Sequence, residues 1–365
     1  MQYTEGQLLD GRYILKKFIG SGSYGEVWVA TDRATELEVA IKIYLSMDPQ
    51  GLSDFKKEFQ VSFDLNHTNL LHANYLGTTV EDNRAYLVMP LCPDGSATKY
   101  IGKADEFILW KFIKDVAGGL AYLHDQNPPL IHQDIKPDNI LISKNGDFLI
   151  TDFGISKQLR STLKKTAGHL NSAGSISYMG PERFSKQSMP IKASDIWSLG
   201  ATVYEIAVGD LPFCGMGGSM QKKGADIPEL PEEFSDTLNK VVMSCMANET
   251  WERPTARQLE EFASRVLLGD SPVITWGVPS ADAAPAPVQA PVQTSASAMQ
   301  QTALYRKSSD DALKKTVAVG NGNYVPPTGG ADVSYSAPKK GISPVVWVVT
   351  ALAGLVAGFV LNLFI

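Results

Sequence analysis

Cysteine is scarce in this chain: Cys92, Cys214 and Cys245 are the only three among 365 residues. Three scattered thiols do not make a disulfide framework or a zinc cluster, and they fit a reducing compartment. Positive charge is not in surplus. The 33 Lys and Arg are outnumbered by 39 Asp and Glu, giving a net charge of −6, which argues against a nucleic-acid binder that works by neutralising phosphates. The opening residues, Met1 to Gly6, hold no basic stretch followed by an apolar run, so no cleaved secretion signal is expected.

What is present is a chain that is 44% hydrophobic, enough for a substantial core, and longer than one typical domain of about 100–200 residues. Residues 1 to about 268 are mixed in composition, with aromatics spread evenly. From about Gly269 to Lys340, Ala, Pro, Ser, Thr and Gly dominate, as in Ala284-Pro285-Ala286-Pro287. Large apolar side chains are too sparse there to offset ordering entropy, so the composition reads as a flexible linker over 269–342. Val345 to Ile365 are 21 uncharged residues, with Thr350 and Asn362 the clearly polar members. About 20 apolar residues span a bilayer as a helix, which makes 343–365 a candidate transmembrane helix; the alternative is a terminal helix docked on the domain. Lys339 and Lys340 flank it, consistent with that side being cytoplasmic. Gly354 and Gly358 form a small-xxx-small pair, a candidate homodimer contact.

Tyr13-Ile14-Leu15, Glu26-Val27-Trp28-Val29-Ala30 and Val39-Ala40-Ile41-Lys42-Ile43 alternate like paired strands. Between the first two lies Gly20-Ser21-Gly22-Ser23-Tyr24-Gly25. Glycines at this spacing let a hairpin backbone approach phosphates without side-chain clashes. The same spacing marks dinucleotide sites when it joins a strand to a helix; in this chain it joins strand to strand. Farther on, Leu109 to His124 reads as a helix leading into Ile131-His132-Gln133-Asp134-Ile135-Lys136-Pro137-Asp138-Asn139. Asp152-Phe153-Gly154 follows, also after an apolar stretch.

With Val27, the Val-Ala-Ile-Lys at 39–42, the loop at 131–139 and Asp152-Phe153-Gly154, the chain resembles the eukaryotic-type protein kinase family. The resemblance extends through Gly174 to Glu182, Asp195 and Arg253, about 250 residues in all. It implies an α+β fold of two lobes, a β-rich N-lobe over about 1–90 and a helical C-lobe over about 93–268. It implies ATP and Mg2+ (or Mn2+) as cofactors and protein Ser/Thr hydroxyls as acceptors; the need for cytosolic ATP and magnesium, with the lysines before the apolar end, places the expected catalytic domain in the cytoplasm. Asp134 then takes or orients the acceptor hydroxyl's proton, Lys136 screens the transferred phosphoryl group, and Asn139 and Asp152 hold the metal. Ile19, Gly20, Ser21, Gly22, Ser23, Tyr24, Gly25 and Val27 cover the nucleotide. Ala40, Lys42, Glu58, Met89 and Cys92 complete its site, with Glu58 as the partner of Lys42 and the Cys92 N–H as the hinge donor because Pro90 has none.

The resemblance also makes Glu182–Arg253 a structural ion pair and Asp195 the buried acceptor for the catalytic loop. Asp138 and Glu205 match positions where some members face basic substrate residues. The sequence departs from the family at two points. Ser62 stands where an apolar residue usually holds the Glu58 helix, with Phe63 the candidate replacement. Gln133 stands where an arginine usually pairs with an activation-segment phosphate, which predicts activity without that phosphate. A pseudokinase scaffold at the membrane is the alternative reading, but Lys42, Asp134, Asn139 and Asp152 are all in place.

Overall fold

The computed structural model describes residues 3–22, 25–80, 82–153, 176–185 and 189–277. The candidate transmembrane helix, most of the linker, and Ser23 and Tyr24 of the glycine loop lie outside them. So do the side chains of Glu58 and Ser62. Among the described residues no helix is long and apolar enough to cross a membrane.

The N-lobe is one antiparallel sheet of six strands. They are β1 (Leu8–Leu9), β2 (Tyr13–Gly22), β3 (Gly25–Asp32), β4 (Glu38–Tyr44), β5 (Tyr75–Thr78) and β6 (Ala85–Pro90), in the order β1-β2-β3-β4-β6-β5. Strand alternation gives each face its job. Ile41 and Ile43 of β4 are fully buried in an outer cluster with Tyr13, Leu15, Trp28, Tyr86 and Val88, while Ala40 and Lys42 turn to the opposite side, the cleft. The outer cluster is capped by the chain's N-terminal segment. Tyr3 packs into it, its hydroxyl donates to Asp82 at 3.0 Å, and the Arg84 guanidinium lies 5.3 Å from its ring centre.

Two register shifts interrupt the β2–β3 pairing, between Leu15 and Lys17 and between Phe18 and Gly20. Such irregularities bend a strand, here where the glycine loop begins. Gly25 is obligatory for another reason: a Cβ on it would overlap the Ile43 carbonyl of the neighbouring strand.

Helix α1 (Pro49–Phe63) crosses between the strands and buries Leu52 and Phe55 against Tyr44, Met47 and Ala85. Phe63, the candidate apolar anchor, is 44% exposed and packs only at the surface, 5.6 Å from Phe59 and 5.3 Å from His72. It does not take the place left by Ser62.

The C-lobe is built on α2 (Glu106–His124) and α3 (Lys192–Val208), with a shorter α4 (Gly218–Gln221) and then α5 (Asp236–Cys245) and α6 (Ala256–Leu267). Helix α2 starts three residues earlier than its apolar pattern suggests, because the Asp105 carboxylate accepts from the Ile108 N–H at 2.8 Å and caps the first turn. Helix α3 is largely buried, with Trp197 and Leu199 in the core, and ends at Gly209 in the left-handed conformation. Thr255 and Gln258 form a capping box at the start of α6. The hairpin of β7 (Ile140–Ile142) and β8 (Phe148–Ile150) lies between the two functional loops.

Packing does not stop at residue 268. An aromatic column runs from Trp110 to Phe262 (5.9 Å) to Trp276 (5.1 Å, edge-on), and the Trp276 indole N–H donates to Ser244 Oγ at 2.9 Å. Truncating such a buried ring costs about 3–5 kcal/mol. Trp276→Ala is therefore expected to destabilise the domain by about 3 kcal/mol in chemical denaturation. A loss below about 0.5 kcal/mol, the ordinary surface value, would mean that the segment is not part of the fold.

Candidate active site

The catalytic loop hangs from one buried carboxylate. Asp195, at the start of α3 and 0% exposed, accepts the backbone N–H groups of His132 and Gln133, each at 2.8 Å. Its Oδ2 also lies 2.9 Å from His124 Nε2 at the end of α2. Gln133 between these contacts has φ 68°, a left-handed conformation that costs a non-glycine residue about 1–2 kcal/mol. The bonds to Asp195 offset that cost.

His132 works in the opposite direction. Its Nδ1 accepts from the Asp134 N–H at 3.2 Å, which leaves the proton on Nε2 to donate to the Thr151 carbonyl at 2.9 Å. One imidazole thus ties the catalytic loop to the residue before Asp152. Asp152 is also left-handed, at φ 61°.

Asn139 donates through Nδ2 to the Asp134 carbonyl at 2.7 Å and to its carboxylate at 2.9 Å. Because the amide nitrogen is committed, the carbonyl Oδ1 is the end available to a cation. Lys136 Nζ lies 3.5 Å from Asp134 Oδ2. Across the cleft Lys42 Nζ meets both oxygens of Asp152, at 2.5 and 2.6 Å, joining residues 110 apart in sequence.

These groups share one cleft of about 540 Å³ between the lobes, a size suited to a nucleotide. Of the site residues expected from sequence, Ile19, Gly20, Ser21, Gly25 and Val27 line its roof. Ala40, Lys42, Met89 and Cys92 line its back. Asp134, Lys136, Asn139 and Asp152 line its floor. Gly22 pairs with Gly25 in the hairpin. Glu58 sits on α1, its side chain outside the described set, so its pairing with Lys42 does too. Burial pushes the Cys92 thiol pKa up, which suppresses the thiolate.

The cleft also recruits Leu141, Thr151 and Ser96, which no motif spacing singled out. Leu141 carried a readable signal, since it follows Asn139 on a strand whose neighbours Ile140 and Ile142 are fully buried.

Below the cleft the end of the activation segment is pinned at several points. Tyr178 OH donates to Glu205 at 2.5 Å, Ser198 Oγ to the Tyr178 carbonyl at 2.6 Å, and Ser177 Oγ to Gly215 O at 2.7 Å. Burial first, then the Glu205 carboxylate, pushes the Tyr178 phenol well above its ordinary range. Arg253 donates to Glu182 at 2.9 Å and to the carbonyls of Ala193, Ala247 and Asn248. Burial opposes the Glu182 charge, but the hydrogen bond and charge of Arg253 outweigh it and hold the carboxyl below its usual value.

The fold and cleft define a two-lobed domain built around a nucleotide-sized site. A family model for the protein kinase domain matches residues 13–262, and the chain belongs to that family. It is 32% identical over 254 residues to mitogen-activated protein kinase kinase kinase 1b of Physcomitrium patens, covering 66% of this chain and 32% of that protein. It is 31% identical over 255 residues to serine/threonine-protein kinase dst1 of Dictyostelium discoideum, covering 68% and 34%. Against serine/threonine-protein kinase PrkC of Bacillus subtilis (strain 168) the identity is 34% over 217 residues, covering 58% and 32%. The chain thus spans about a third of the length of these curated relatives.

Asp195→Ala leaves two backbone donors and a histidine unpaired in the interior, each costing about 1–3 kcal/mol. Its expected outcome is destabilisation of at least about 3 kcal/mol by denaturation. A near-neutral change would show that the loop is held by something else.

Proposed function

We propose that this chain is an ATP- and Mg2+-dependent protein serine/threonine kinase. The observation that carries the reading is the convergence of Lys42, Asp134, Lys136, Asn139 and Asp152 on one nucleotide-sized cleft. The Ser/Thr assignment is supported by Lys136 and by the printed names of relatives such as dst1 and PrkC.

The residues suit the groups they would hold. Among the described residues no three His, Cys, Asp or Glu side chains form a metal-binding group. Mg2+ is commonly held by one or two carboxylates with phosphates and waters supplying the rest, and Asp152 with Asn139 Oδ1 fits that demand. When bound, the cation offsets charge on the phosphates and helps align them. Asp134 orients the acceptor hydroxyl and takes its proton, with its own carboxylate fixed by Asn139 Nδ2. Lys136, beside Asp134, is placed to screen the phosphoryl group in flight. Lys42 exchanges the Asp152 carboxylate for a phosphate oxygen when nucleotide binds. Leu141, Ala40 and Met89 offer apolar surface to the adenine ring, and the Cys92 N–H is the hinge donor in this reading.

We also propose that the protein is anchored by its C-terminal apolar run, with the kinase domain on the cytoplasmic side. A helix of the 21 residues Val345 to Ile365 reaches about 30 Å, the thickness of a bilayer's hydrocarbon core. Gly354 and Gly358 would serve a dimer contact there.

Phosphatase-treated protein is expected to transfer phosphate from ATP to a generic acceptor protein, because Gln133 cannot pair with an activation-segment phosphate. Asp152→Asn should lower this turnover by about a hundredfold or more. Residual turnover within a few-fold of wild type would remove Asp152 from the site.

The anchor is tested by fractionation. Full-length protein should stay in the membrane pellet through a carbonate wash, while a chain truncated after Lys340 should be soluble and active. Release of the full chain by the wash would rule out a spanning helix.

A further inference from the structure

We propose that Arg84 is a positioning residue for phosphoryl transfer, clamped by Tyr3 and acting through Tyr44. This rests on the kinase reading above and adds a control point outside the cleft.

The first observation is what Tyr44 supports. It is the last residue of β4 and is fully buried, and three phosphate-side elements meet on it. Its backbone pairs with Gly25, the glycine that opens β3. Its ring centre lies 5.4 Å from Lys42 Nζ, two residues back on the same face of the strand. The same ring packs 4.6 Å from Phe55 of α1. Glu58, the expected partner of Lys42, stands three residues farther along that helix. Phe63 is at the surface, and Leu52 and Phe55 are the large apolar side chains of α1 that are buried, among the described residues. Both lie in the cluster around Tyr44.

The second observation is what holds Tyr44. The ladder between β4 and β6 ends at Ile43 and Tyr86. One residue farther, Arg84 Nε donates to the Tyr44 carbonyl at 2.5 Å, so a side chain takes over where pairing with β6 stops. Arg84 is itself 6% exposed. Its Nη1 lies 3.6 Å from Glu26 and 3.8 Å from Asp82, while Nη2 has no hydrogen-bond partner among the described residues. A buried guanidinium with an idle N–H costs stability that an apolar side chain of similar length would not. Packing alone does not account for an arginine here; the bond to Tyr44 does.

The third observation is the clamp on Arg84. Tyr3 is buried, and its ring centre lies 5.3 Å from the guanidinium carbon. Its hydroxyl donates to Asp82, which also accepts from the Thr79 hydroxyl at 2.5 Å. The family model matches from residue 13 onward, so the clamping residue comes from outside the matched domain. Its contacts end on the residue that Gly25, Lys42 and α1 share.

A shift of Tyr44 displaces the groups that hold the phosphates and leaves the hinge side of the cleft, Met89 and Cys92, where it is. Misplacement of that kind slows the chemical step more than it weakens nucleotide binding.

The test uses the full chain in detergent micelles with ATP, Mg2+ and myelin basic protein as acceptor. Arg84→Met keeps an unbranched apolar stem and removes the bond to Tyr44. It is expected to lower kcat about tenfold while KM for ATP stays within about twofold and unfolding stays cooperative. Tyr3→Ala should give the same split. Tyr3→Phe, which keeps the ring over the guanidinium, should restore most of the lost rate. Adding Tyr3→Ala to Arg84→Met should lower kcat no further, because both act on one contact. A kcat for Arg84→Met within about twofold of wild type, or a rise in KM for ATP in place of the kcat loss, would overturn the proposal while the kinase reading stands. Losses that multiply in the double variant would do the same. If Arg84→Met does not fold, the two Tyr3 variants decide, and equal rates for Tyr3→Ala and Tyr3→Phe overturn the proposal. If the wild-type chain leaves myelin basic protein unlabelled, the kinase reading itself fails.

Discussion

The Asp195 carboxylate is the fixed point of this domain. A charge at 0% exposure is tolerable only when its lone pairs are taken up. Two backbone N–H groups of the catalytic loop and the His124 ring do this. The consequence runs both ways. The carboxylate is solvated by the loop, and the loop is held in a left-handed turn at Gln133 that it would not adopt alone. Asp134, the next residue, inherits its position from that turn, and His132 passes the constraint on to Thr151 and so to Asp152. Three functional carboxylates are thus linked through backbone contacts rather than side-chain packing, which tolerates little displacement.

The surrounding helices serve this fixed point. Helix α3 brings Asp195 in its first turn and is buried along most of its length, with the Ser198 and Thr202 hydroxyls donating to backbone carbonyls. Helix α2 delivers His124 at its last turn. Arg253 then ties the segment after Tyr178 to the start of α3 through Glu182 and the Ala193 carbonyl. Arg253 is fully covered and its planar fork satisfies four oxygens, a task for which a lysine has the wrong geometry. The platform below the cleft and the loop inside it are therefore both fastened to the first turn of α3, at Ala193 and at Asp195.

Much of this was legible in the sequence, and the parts that were not share a cause. The strands of the N-lobe declared themselves by period-two alternation, and β4 splits Ile41 and Ile43 from Ala40 and Lys42 as that pattern requires. The chemistry-bearing residues were legible because their spacing in short loops is fixed by the chemistry. Residues that support them from distant sequence carried no local signal. His124 and Thr151 act only through contacts 71 and 19 residues away. Trp276 sits in a stretch whose composition reads as linker; only the aromatic column of Trp110 and Phe262 makes it part of the core. Phe63 failed as a substitute for Ser62 because adjacency in a helix does not place a side chain on the same face, and its ring lies at the surface instead.

The contact between Lys42 and Asp152 gives the cleft its electrostatic character. Lys42 from the N-lobe and Asp152 from the C-lobe meet at 2.5 Å. Both are partly exposed, 13% and 18%, so neither bears the full desolvation penalty of a buried ion. In the function proposed above, a nucleotide with its cation would bring one partner for each: phosphate oxygens for the lysine and a metal for the carboxylate. The pair holds both groups on the cleft, where the proposed function would bring the ligand's charges.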